Sequence, residues 1–190
     1  TVSTYDAAAM PSSVEALRLV DGDHVGIPYL IQVEHMAYLD EPPAESSFDA
    51  FLAYGERFAF PAGRANALPR LFLAQYTDAV GPIAADGSTT LDAEGLRAVY
   101  EFYERAQAED LLPPEISTFA SSADYVALLL DAELRAAATT STLYLRVAAE
   151  TSNPLYYGPL PTLSGTPNTL VDGWLWAVTT RDGARAAAAR

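Results

Sequence analysis

Apolar positions along the chain fall into two rhythms, and the places where one gives way to the other divide it into elements. Val14, Leu17 and Val20 follow a serine at Ser12, the spacing of a short capped helix that Asp21-Gly22-Asp23 would end. From His24 the pattern turns extended. Val25 to Leu30 and Ile31 to Leu39 are rich in β-branched and aromatic residues around Pro28, which predicts two short strands or one bent strand. Ser47 caps a helix expected from Phe48 to about Phe58, with Phe48, Phe51, Leu52 and Phe58 on its buried face. Phe58 to Pro61 closes as a strand end, and a loop with Gly63 and Arg64 follows. Leu68, Leu71, Phe72, Leu73 and Tyr76 then predict a helix from Asn66 to about Val80.

Gly81 to Thr90 is rich in turn residues, including Pro82 and Asp86-Gly87. The broadest apolar stripe comes next. Leu96, Val99, Tyr100, Phe102, Tyr103 and Ala106 predict a helix opened by Leu91-Asp92 and running to Leu112, where Pro113-Pro114 forbids continuation. A helix is expected from Ala123 to about Leu134, a strand from Arg135 to Ala138, and a helix near Leu143 to Glu150. Strands are expected at Leu155 to Pro159 and Asp172 to Thr180, and Asp182 to Arg190 reads as an alanine-rich helix that ends without a cap. Strand and helix patterns alternate, which predicts an α/β or mixed-sheet layered architecture.

Composition narrows the function classes. Half the residues are apolar, ample for one core in a chain of 190. The net charge of −14 repels nucleic acid phosphates and anionic lipid, and no basic cluster offsets it. Cysteine is absent, which removes thiolate catalysis, cysteine-ligated zinc and disulfides. The two histidines, His24 and His35, lack the spacing of a metal pair, and His35 beside Glu34 reads as an edge or pocket hydrogen-bonder before a catalytic base. No GxSxG elbow, GxGxxG loop or GxxxxGK[ST] loop occurs, so triad hydrolysis and phosphate cradling lack their usual geometry. A carboxylate pair for glycoside hydrolysis stays open, but 25 acidic residues will supply some pair by chance. No cofactor is expected.

The tryptophans carry more information. Trp174 and Trp176 alternate in Asp172-Gly173-Trp174-Leu175-Trp176, so a strand there puts both indoles and Asp172 on one side. Two indoles on one side suit a core. They also suit a flat apolar platform with an adjacent carboxylate, a combination fitted to a sugar ring.

Four stretches resemble the extracellular solute-binding proteins of ABC importers, family 1, sugar-receptor type. Asp21 to Tyr29 is similar to that family's "dGk.yGiPy" crossing into its second lobe, and Tyr38 stands where its next strand has a tyrosine. Pro42-Pro43 with Ser47-Phe48-Asp49 resembles "PP.TWdE". Ala84 to Leu112 resembles a "dG...ld" turn before a long helix ending in "Gllpp". Gly158 to Pro161, through Gly173 to Val178 and the last helix, resembles "plP...G....gGwg.aI......aAa.f". Leu39 departs from the family's asparagine, and the stretch before Pro42 is shortened.

The resemblance implies a three-layer mixed-sheet lobe of a periplasmic-binding-protein-like II fold. Residues 1–190 would be a single domain, the contiguous second lobe of a two-lobed receptor, with the N-terminal lobe missing and hinge-proximal segments near 25–38 and 172–180. It implies a non-catalytic chain that supplies one wall of an inter-lobe cleft. The parent would be a monomeric, secreted or lipid-anchored receptor that docks on a membrane permease and takes a small polar solute, a sugar before other solutes. Carried over position by position, the ligand residues are Gln32, Glu34, Arg64, Asn66, Tyr144, Asp172 and Trp174, with Tyr144 as a stacking aromatic, Trp176 in the core, and an N-cap role equally open to Asn66. The alternatives are a glycan-acting hydrolase or a structural, oligomerising module.

Overall fold

The computed structural model describes residues 19–20, 23–24, 26–63, 68–83, 91–152, 154–177 and 184. The chain divides into two compact units, residues 1–33 with 171–190 and residues 34–170. In the first unit, β1 (Leu19–Val20) pairs antiparallel with β2 (Asp23–His24), Leu19 opposite His24 and Val20 opposite Asp23. Leu19–Val20 is therefore strand, where the apolar spacing predicts the end of a helix. Two residues between paired strands, with Asp-Gly as the pair, make a hairpin signal strong enough to override that spacing. Strand β3 (Gly26–Tyr38) is one strand with a register shift between Pro28 and Leu30, the bent alternative of the two expected. Proline has no N–H for the ladder, so the irregularity falls beside it. The first half of β3 pairs antiparallel with β7 (Val171–Ala177).

The second unit is built on the second half of β3. There β3 pairs antiparallel with β5 (Ala136–Thr140) and with β6 (Tyr156–Gly158), and β5 pairs parallel with β4 (Phe58–Ala59), giving the mixed order β4-β5-β3-β6. Alanine is a poor strand former, yet Ala136-Ala137-Ala138 is a buried central strand because ladders hold it on both sides. Its small side chains let helices approach both faces. On one face Met36, Tyr38, Ala136 and Ala138 meet α1 (Phe48–Tyr54), α2 (Arg70–Val80) and α3 (Ala93–Ala108) in an aromatic core with Phe48, Phe51, Phe58, Leu71, Phe72 and Phe102. On the other, Ala37 and Ala137 meet Phe119, Tyr125, Leu129 and Leu134 around α4 (Val126–Leu130), with Tyr144 of α5 (Ser141–Glu150) packed against them. Helices on both faces of a mixed sheet make the three-layer α/β lobe.

Several helix ends differ from the spacing, for one recurring reason. Helix α1 stops at Gly55, which adopts φ 72 in the left-handed region, so Phe58 belongs to β4 and not to the helix. Helix α3 ends at Ala108, short of Leu112. Asp110 turns left-handed at φ 58, its N–H donates to Gln107 O, and the Leu111 N–H donates to Ala106 O, the double bond of a Schellman end. Ala132, at φ 60, closes α4 in the same way, with Ala132 N–H on Leu129 O and Glu133 N–H on Leu128 O. Residues 122–124 form a short 3-10 turn before α4, where one continuous helix to Leu134 is expected from the sequence. Helix α2 begins at Arg70 with Pro69 at its N-cap, later than the start the spacing predicts. Arg64 and Asn66, and the alanine-rich segment from Asp182 apart from Ala184, lie outside the described residues. No helix among the described residues is long and apolar enough to cross a membrane.

Candidate ligand-binding face and aromatic cleft

The β3/β7 ladder sets Leu30 opposite Trp174 and Gln32 opposite Asp172. Residues directly opposed in an antiparallel pair share a face, and so do residues two apart on a strand. Gln32, Asp172 and Trp174, three of the expected ligand residues, are thus gathered with Leu30 on one face. The indole of Trp174 is 65% exposed and Leu30 37%, so the face carries an apolar step open to solvent. Asp172 fixes its carboxylate locally by accepting the Gly173 N–H at 2.8 Å. An exposed indole flanked by an amide and a carboxylate offers stacking for an apolar ring face and acceptors for hydroxyls. Trp176 stands opposite Ile27 in the backbone register.

Glu34 lies just past this face in the chain, at the start of the second unit. It follows the same alternation as Met36 and Tyr38, so its side chain enters the layer that holds α2. There its Oε1 meets Arg70 Nε at 2.7 Å, with 8% of the Glu34 side chain exposed against 36% for Arg70. The carboxylate and the contacting Arg70 Nε are both buried, while other parts of the arginine side chain are exposed. The Glu34 backbone is held too: its N–H donates to Leu170 O at 3.3 Å, and Thr169 Oγ1 donates to its carbonyl. Arg70 carries no sequence motif, and its role depends on the three-dimensional approach of α2 to β3.

Tyr144 belongs to the opposite face of the sheet. Its hydroxyl donates to Leu155 O at 2.7 Å, its ring meets His35 edge-on at 5.1 Å, and it meets Tyr157 edge-on at 6.1 Å. Burial, then the neighbouring Tyr157, pushes its phenol pKa up. His35 places Nδ1 3.0 Å from the Met36 carbonyl oxygen, and burial lowers its pKa although that hydrogen bond favours the charged ring. It is a half-buried ring held by a backbone hydrogen bond and packed edge-on against Tyr144. Tyr144, Leu155, Tyr156 and Tyr157 line an open cleft of about 440 Å³ with Glu41 to Ala44. Tyr156 and Tyr157 read in the sequence only as strand residues. Adjacent positions on a strand point to opposite faces, a signal that at least one tyrosine of the pair stands outside the core.

Scans against protein-family models and curated proteins give no match. Solved structures do match. Maltose-bound T. maritima MalE3 is similar over 94% of this chain and 51% of its own, with TM-score 0.67 and 17% identity. A family 1 extracellular solute-binding protein from Bifidobacterium longum subsp. infantis covers 99% of this chain and 55% of its own, with TM-score 0.61 and 15% identity. The GacH receptor of Streptomyces glaucescens, solved unliganded and with acarbose, covers 96% and 52%, with TM-score 0.68 and 13% identity. The chain spans about half the length of the solved proteins it matches. Its mixed-sheet, three-layer α/β architecture is therefore the fold of about half of a family 1 extracellular solute-binding protein, one lobe of the periplasmic-binding-protein-like kind.

Proposed function

We propose that this chain holds a small polar solute, a carbohydrate, without transforming it, and that it supplies one wall of an inter-lobe cleft in an extracytoplasmic receptor serving an ABC importer. The observation that carries this reading is the solvent-open face of Trp174 with Leu30, Gln32 and Asp172 in register beside it. An indole stacks on the C–H face of a pyranose while the neighbouring amide and carboxylate take its hydroxyls. The matched structures support it, since the proteins they represent include maltose- and acarbose-bound receptors. The division of the chain at Val33/Glu34 and Leu170/Val171 supports assigning the segments near 25–38 and 172–180 to the neighbourhood of a hinge. In such a receptor, contacts to both walls stabilise the closed state, and closure couples occupancy to docking on the permease. A lipid anchor on the outer face of the membrane would keep the receptor near that permease.

Calorimetric titration with maltose, acarbose and chitin oligosaccharides, with product analysis after long incubation, tests the proposal. The expected result is weak binding, millimolar in Kd, because contacts come from one wall only, and no released sugar. Micromolar or tighter binding would refute the single-wall reading. Hydrolysis that disappears in Glu34→Gln would refute the non-catalytic one.

A further inference from the structure

The aromatic cleft of the second unit shares no residue with the β3/β7 face and suits a different ligand. Tyr144 and Tyr157 meet at an interplanar angle of 76°, so their rings form a corner and not the flat platform a sugar ring takes. The corner is preset: the Tyr144 hydroxyl is tied to Leu155 O, and Tyr157 sits on β6, paired in register with Ala37 of β3. Tyr156, the preceding residue of the strand, also lines the cleft, although its side chain alternates to the other face of β6. Glu41 lines the same cleft and makes no ion pair among the described residues, while the carboxylate of its neighbour Asp40 is engaged by Arg135. No arginine lines the cleft among the described residues, and the chain contains no lysine.

The Tyr144 and Tyr157 rings with one carboxylate and no cation form a region of negative potential with little capacity to replace a tightly held hydration shell. A primary ammonium would lose more water than such a site restores. A quaternary ammonium spreads its charge over methyl groups that can lie directly on ring faces. We propose that this cleft binds a small organic cation headed by a quaternary ammonium group and bearing no carboxylate, which Glu41 would repel. The proposal is independent of the carbohydrate reading and moves Tyr144 from sugar stacking to cation recognition.

The test is titration of the 190-residue chain with tetramethylammonium chloride and choline chloride at fixed ionic strength, followed by NMR. The neutral isostere 3,3-dimethyl-1-butanol serves as comparison. Saturable binding is expected, at least about tenfold tighter for choline than for the isostere, with Tyr157→Ala and Glu41→Gln each weakening it about five- to tenfold. Tyr157 is 72% exposed, so its replacement should leave the circular dichroism spectrum unchanged. Equal binding of the isostere, no saturation below about 100 mM, or indifference to both substitutions would overturn the proposal. The carbohydrate titrations stand or fall separately.

Discussion

Removing Arg70 should cost more stability than removing Glu34, and the two losses should not add. The Glu34 carboxylate is the buried member of the pair, with 8% of its side chain exposed and Arg70 Nε at 2.7 Å. Arg70→Ala removes the 2.7 Å ion pair from a buried carboxylate. Breaking buried pairs costs about 3–5 kcal/mol, and the low end applies here because about a third of the arginine side chain is already in water. Glu34→Ala leaves a cation that can turn to solvent, although at the first residue of α2 it meets the positive helix end, so about 1–2 kcal/mol is expected. The double variant should fall about 1–2 kcal/mol short of the sum. Urea denaturation followed by circular dichroism, with linear extrapolation at neutral pH, reads all four corners of the cycle. A coupling below about 0.5 kcal/mol, or a larger loss from Glu34→Ala, would show that the pair does not anchor α2 to β3.

Two further outcomes test the packing and the half-buried histidine. Phe102, 1% exposed and stacked on Phe48 with centroids 4.5 Å apart, should lose about 3–5 kcal/mol on change to alanine, whereas Leu145→Ala, at a position 66% exposed, should stay within about 0.5 kcal/mol in the same assay. Burial holds the folded His35 below the 6.5 of an ordinary imidazole, so as pH falls through about 6.5 the unfolded chain takes up a proton that the folded chain refuses. His35 therefore withdraws stability progressively below that pH, until the folded imidazole also protonates. The stability of the wild type relative to His35→Gln should decline from pH 7 to pH 5.5, and a rise over that window would contradict the assignment.

The elements that the sequence made legible are those written in local chemistry. Ser47 and Asp92 announce α1 and α3, and their side chains accept N–H bonds from Ala50 and Gly95. The alternation in Asp172-Gly173-Trp174 was enough to put Asp172 and Trp174 on one face, and the β3 register adds Gln32 to it. Helix ends were harder to see. Asp110 and Ala132 turn left-handed without being glycine, so no residue type marked those stops, and Leu111 is buried there with its N–H on Ala106 O. Gly55 did mark its stop, but the apolar run on to Phe58 masked it. Of the expected site, the Glu34 pairing and the tyrosine cleft depend on chain segments brought together by the fold: Arg70 is 36 residues from Glu34, and Tyr157 is 13 from Tyr144. No spacing rule reaches either contact.

The central claim is that a carbohydrate lands on the β3/β7 face. The chain has two tryptophans, so the indole N–H signals of a ¹⁵N-labelled sample give two reporters, assigned through Trp174→Phe. Titration with maltose and with acarbose should move the Trp174 signal along a saturable curve, and Trp174→Ala should weaken binding at least about tenfold while the fold persists. Sugar binding that leaves the Trp174 indole signal unmoved, or keeps the same Kd in Trp174→Ala, would contradict the account.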